Sequence, residues 1–162
     1  MTVKSPMIGS VSTGTMRTED LMPAFADALS LMPAYSDTEI VRRATLKLLD
    51  DVEKFLGAPE DSLPDWDSNQ AQLLMEALFS ELDNHAPLHM RFGSHVGDGA
   101  DFGFWPDTAT LMDAIDPTSI LGVPTRNDNE YLLEDDSIIV HVNDHGNVTV
   151  MDMERNVLWS VV

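Results

Sequence analysis

The sequence predicts an α+β fold, with N-terminal helices packed on a C-terminal antiparallel meander. Three observations carry that reading. Apolar residues recur at helical spacing through the first half, they alternate by twos near the end, and turn-forming residues separate the alternating runs. Helices first and strands second place the helices on one face of the sheet. At 162 residues and 43% apolar content, a single domain spanning 1–162 is expected, long enough to bury a core.

Residues 1–17 are rich in Ser, Thr and Gly and read as a loose arm. A first helix is expected from about Glu19 to Met32, with Leu21, Phe25, Ala28, Leu29 and Met32 on one face and Thr18 as its cap. Pro23 blurs its start. Ser36 and Glu39 have capping-box spacing before a second helix, whose face is Val41, Ala44, Leu48, Val52 and Phe55 and which Gly57 ends. Asp67 and Gln70 repeat the box before a third, carrying Leu73, Leu74, Ala77, Leu78 and Leu82, closed by Asn84 and Pro87.

From residue 88 the period changes. Leu88–His95 and Asp101–Trp105 flank the bend Val96-Gly97-Asp98-Gly99-Ala100. A short helix follows, capped by Asp107 and carrying Leu111, Met112 and Ile115, and Asp116-Pro117 stops it. Residues 117–129 read as loop. Ile138, Val140 and Val142 then alternate with Ile139, His141 and Asn143, and Asp144-His145-Gly146 turns the chain into Val148–Met151. Glu154-Arg155-Asn156 turns it again into Val157–Val161, which completes three antiparallel strands.

Charge restricts function more than any motif does. The chain has 28 Asp plus Glu against 9 Lys plus Arg, a net charge of −19. Nucleic acid and anionic membrane would both repel it, so direct binding to either is not expected. The excess favours a basic protein surface as partner, or a solvent that demands acidity. With 19 Asp, 9 Glu and only Lys4, Lys47 and Lys54 as lysines, a salt-adapted surface is one explanation. Residues 92–162 hold 13 acidic and 2 basic side chains, so the second half is the more negative. No apolar run reaches the roughly 18 residues of a membrane span. Residues 1–15 lack an apolar leader segment, and there is no cysteine; a cytoplasmic protein is expected.

The densest candidate for chemistry is Gly93–Gly103, where His95, Asp98 and Asp101 recur at three-residue intervals among four glycines. An imidazole and two carboxylates at a turn could hold a divalent metal. The segment fits neither an EF-hand loop nor a lysine-bearing phosphate loop. The structural alternative is a tight bend whose glycines supply positive φ and whose aspartates bond the turn backbone. His141 and His145 share i, i+4 spacing but fall on a strand and a turn, and His85 and His89 straddle Pro87. Ser94 and His95 are adjacent, which in a strand sends them to opposite faces. No catalytic residue is assigned and no cofactor is expected beyond that metal. Trp66, Trp105, Trp159 and the ten methionines read mainly as core, with an adaptable binding surface as the alternative.

Three stretches, Gly14–Phe25, Phe92–Pro106 and Val142–Val150, resemble a group of small proteins encoded by phages and mobile elements. The resemblance runs in order over most of the chain. It implies an accessory role in a host cell and brings no catalytic residues with it. The combined expectation is an acidic accessory protein, not an enzyme. It would occupy a basic surface of a nucleic-acid-binding host protein, as an anti-defence inhibitor or nucleic-acid mimic. The segments Asp98–Asp107 and Asp128–Asp136 are its expected contact surface: Asp98, Asp101, Asp107, Asp128, Glu130, Glu134, Asp135 and Asp136. The alternatives are a metal-binding module or metal-dependent enzyme at His95, Asp98 and Asp101, and a structural or housekeeping protein with a salt-adapted surface.

Overall fold

A computed structural model of the chain describes residues 8–32, 39–58, 63–116, 122–133 and 138–161. The elements are β1 (Gly9–Ser12), α1 (Thr18–Leu31), α2 (Glu39–Leu56), α3 (Asn69–Asn84), β2 (Met90–His95), β3 (Asp98–Pro106) and α4 (Thr108–Ala114). Five strands follow: β4 (Gly122–Pro124), β5 (Glu130–Leu133), β6 (Ile138–Val142), β7 (Val148–Asp152) and β8 (Val157–Ser160). The fold is α+β, as the sequence predicts. One sheet has the order β1-β3-β2 and the other is a five-stranded antiparallel meander, β4-β5-β6-β7-β8. No described helix is long and apolar enough to cross a membrane.

Among the described residues the chain groups into two compact units, one within Ser10–His85 and Phe92–Gly103, the other within Met1–Gly9, Ala86–Arg91 and Phe104–Val162. In the helical unit, the i, i+3/i+4 spacing of α1 buries Leu21, Met22, Phe25 and Leu29, and that of α3 buries Ala71, Leu74, Leu78 and Leu82. Phe25 lies edge-on to Phe92 at 5.0 Å, Phe102 at 5.7 Å and Phe79 at 6.5 Å. Such edge-to-face pairs add about 0.5–1.5 kcal/mol each beyond area burial.

The helix ends correct several sequence expectations. Thr18 is the first helical residue and not the cap; Arg17 is the N-cap and its side chain makes no capping bond. Thr15 supplies the local order, accepting from the Arg17 amide at 3.2 Å and donating to Asp20 at 2.7 Å. Ser36 lies outside the described residues. Ser68, not Asp67, caps α3 by accepting the Ala71 amide at 3.2 Å. In α2 coverage rises toward the C-terminal end: Val52 and Phe55 are buried, Leu48 is half-buried, and Val41 and Ala44 are exposed.

In the other unit, the meander presents one apolar face in register. Leu133 faces Ile138, Tyr131 faces Val140, Val140 faces Val150, and Val150 faces Trp159. Leu111, Ala114 and Ile115 of α4 pack into the same cluster. Asp107 caps α4 as expected, accepting from Ala109 at 3.0 Å and Thr110 at 3.4 Å. Two strands were not expected: Gly122–Pro124 falls in the stretch read as loop, and Glu130–Leu133 completes the pairing with β6. At the other end of the chain, Gly9–Ser12 is a strand inside the stretch read as a loose arm.

Candidate functional site

The glycine-rich bend is a two-residue connection, Val96-Gly97, between β2 and β3. Its glycines do not supply positive φ; among the described glycines that conformation belongs to Gly9, Gly14 and Gly146. Side chains fold it instead. The Gly97 amide donates to His95 Nδ1 at 3.1 Å, and a Cβ on Gly97 would lie 3.4 Å from that nitrogen. Asp98 accepts the Ala100 amide at 3.0 Å. Asp101 Oδ1 is buried, with no hydrogen-bond partner among the described residues. Among the described residues no group of three or more His, Asp or Glu is close enough to hold a metal, so His95, Asp98 and Asp101 are not gathered into a ligand set.

The other histidines are local too. His145 sits exposed in the β6–β7 turn and donates its amide to Asn143. His141 stands in β6 opposite Glu130 and Thr149. His85 caps the end of α3, its Nδ1 2.8 Å from the Glu81 carbonyl.

The eight carboxylates expected to face a partner divide into different kinds. Glu134, Asp135 and Asp136 lie outside the described residues. Asp107 is engaged as the α4 cap, Asp98 bonds the hairpin backbone, and Asp128 is exposed. Glu130 is not available to a partner at all. It is 9% exposed and receives both Arg155 terminal nitrogens at 2.9 Å, Asn127 Nδ2 at 2.9 Å and the Thr125 hydroxyl at 3.2 Å. The Arg155 bonds, followed by that from Asn127, hold its carboxyl at about 2, below the ordinary 4.5, and outweigh the burial that would raise it. Arg155 adopts φ +69°, and its amide donates to the Asp152 carbonyl. The Asp152 carboxylate takes the Glu154 and Asn156 amides and Asn156 Nδ2, which lowers its pKa. This network ties the β4–β5 loop to the β7–β8 turn.

Sequence reasoning missed a groove where α4 overlies the sheet. It has a volume of about 320 Å³, and its apolar lining is Met112, Ile115, Tyr131 and Val142. Asp116, Asn129, Asn143 and Asp144 complete the lining, and neither aspartate was among the expected contacts. Met112, expected in the core, is 43% exposed here. Trp105 and Trp159 are core, as their spacing predicts, and Trp66 packs edge-on against Phe55 at 5.4 Å.

Comparison with known protein families, curated proteins and solved structures finds no match.

Proposed function

We propose that this chain is an acidic accessory protein that occupies a basic surface on a protein partner. One observation carries the reading. Of the two cations in residues 92–162, Arg155 is engaged by the buried Glu130. Removing that pair leaves twelve of the thirteen carboxylates in this half facing one cation, Arg126. Of the seven cations in residues 1–91, Arg17, Arg43, Lys47 and Lys54 each pair with a carboxylate of their own segment. Uncompensated surface carboxylate attracts a positively charged partner, speeds encounter, and repels competing polyanions.

The resemblance of three stretches to phage and mobile-element proteins favours a host nucleic-acid-binding protein as that partner, its phosphate sites met by carboxylates. The test is affinity capture of the tagged chain from host lysate at 50 mM and 500 mM salt. A basic protein retained at low salt, lost at high salt and displaced by duplex DNA is the expected result. A capture without a basic protein, or a partner indifferent to both salt and DNA, overturns the reading.

A further inference from the structure

We infer that the free edge of β8 takes an extended, basic segment of the partner as a sixth strand of the meander; this rests on the acidic-partner reading above. The first observation is an apolar row across the sheet. Register places Val123, Leu132, Ile139, Met151 and Val157 side by side, one from each of the five strands. They lie on the face opposite Tyr131, Val140, Val150 and Trp159, because side chains alternate along a strand. The face of an antiparallel sheet turned away from its core is ordinarily polar. Here the row runs to the last strand and stops at Val157, which is 62% exposed.

A bulge brings the row to the edge. Val150 faces Trp159 and Met151 faces Val157, so Leu158 is the extra residue. Leu158 packs against the core cluster that contains Trp159, and Val157 returns to the outer row. A one-residue shift moves a side chain to the opposite face, so without that extra residue Val157 would point into the core.

The backbone supplies the second observation. The Val161 amide donates to the Val148 carbonyl at 3.0 Å. In an antiparallel ladder such bonded pairs alternate with pairs that point away, so Ser160, opposite Thr149, directs its amide and carbonyl outward. Ser160 is exposed, and among the described strands none pairs with β8 on that side. The two edges of the sheet differ. β4 is three residues long and ends in Pro124, two features that discourage pairing. Val157–Val161 holds neither charge nor proline, in a chain where 23% of residues are charged.

Charge selects the occupant. The turns at the two ends of β7 carry exposed carboxylates, Asp144 at one and Glu154 at the other. Pairing β8 with the β8 of a second copy would bring together two chains of net charge −19, which repel. A segment with lysine or arginine on either side of an apolar stretch is drawn in by the same charge. Main-chain hydrogen bonds then hold it, as in strand addition, and its alternate side chains extend the row past Val157.

The test is an NMR titration of the full chain at 20 mM salt with two peptides. One alternates valine and threonine between paired lysines at each end; the other has its central valine replaced by proline. The first should saturate at about 0.1–1 mM and slow hydrogen exchange of the Ser160 amide about tenfold. The proline peptide should bind about tenfold more weakly, since it breaks the added ladder. Val157→Glu should weaken the first peptide about fivefold although it makes the chain more acidic, and Ser160→Pro about tenfold by removing an outward donor. Val123→Glu, on the opposite edge, should not weaken it. The rest of the amide spectrum reports folding, and Val157→Glu decides if Ser160→Pro does not fold. Equal binding of the two peptides, or unchanged or tighter binding by Val157→Glu, overturns the edge and keeps the acidic-partner reading. A dimer in sedimentation equilibrium at 500 mM salt that Val157→Glu abolishes overturns the basic occupant in favour of a second copy. Saturable binding at the edge with no basic protein retained from lysate overturns the partner reading and keeps the edge.

Discussion

Glu130→Gln separates a carboxylate that holds the fold from the many that face solvent. The substitution keeps the side chain's size and one acceptor oxygen but removes the charge that Arg155, Asn127 and Thr125 converge on. In the folded chain the carboxyl titrates at about 2, against an ordinary 4.5. At about 1.4 kcal/mol per tenfold, that difference is worth roughly 3 kcal/mol. The Arg155 side chain is 48% exposed, so water screens the pair and about 1–2 kcal/mol is expected. Because the folded pKa is depressed, the contribution is complete above pH 4.5 and falls away as pH drops toward 2. By pH 2.5 about a quarter remains. Urea unfolding in a Trp66→Phe background isolates this unit, since Trp105 and Trp159 both lie in its core. The midpoint should fall by about 0.5–1 M at pH 7, and the gap between the two proteins should narrow to about a quarter of that at pH 2.5. Equal midpoints at pH 7, or a gap that persists undiminished in acid, would refute the assignment.

Ser68→Ala should cost about 1 kcal/mol in urea unfolding, the loss of an N-cap, whereas Asp67→Ala should change little; the reverse order would place the cap where the sequence spacing put it. Gly122→Ala should destabilise by about 1–3 kcal/mol, because its Cβ would meet the Ala114 carbonyl oxygen at 2.8 Å and Ile115 Cα at 3.1 Å, both backbone. Calorimetry showing an unchanged melting temperature would mean that β4 is placed differently. Phe25→Ala should remove about 3–5 kcal/mol from the helical unit, since the ring is fully buried against three other phenylalanines. Loss of helical circular dichroism at lower urea is the readout, and a cost under 1 kcal/mol would contradict that packing.

Much of the fold was legible because its signals are local. The spacing of Leu21, Phe25 and Leu29, the Asp107 cap and the alternation from Ile138 to Val142 each need only a few neighbouring residues to be read. What was missed depends on contacts distant in sequence. Glu130–Leu133 is four residues long, too short for its own alternation to stand out, and becomes a strand by pairing with Ile138–His141. Gly122–Pro124 is shorter still and depends on pairing with Tyr131–Leu133. Two caps were misplaced for a different reason. Thr18 and Asp67 have the right chemistry, but Ser68 and Arg17 occupy the non-helical turn that defines a cap, and spacing alone does not choose between adjacent residues.

For the candidate site, composition counts carboxylates without distinguishing those already bonded inside the fold. Glu130 and Asp144 look alike in the sequence: each is acidic and lies near asparagines. Glu130 faces His141 in the sheet register and is closed over by Arg155, which lies 25 residues later in the chain. Asp144 stands at the exposed tip of a turn whose backbone is secured by Asn143 and not by the aspartate itself. One signal for this difference was present. Arg155 is one of two cations in a strongly negative half, so a buried carboxylate there had few candidates for a partner. No comparable signal marked Asp116 and Asp144, because the groove they line is assembled from residues of segments distant in the chain. Acidity in this chain therefore divides by topology: Glu130, closed over by Arg155, ties a loop to a turn, whereas Asp144 stands exposed at a turn that its neighbour Asn143 secures.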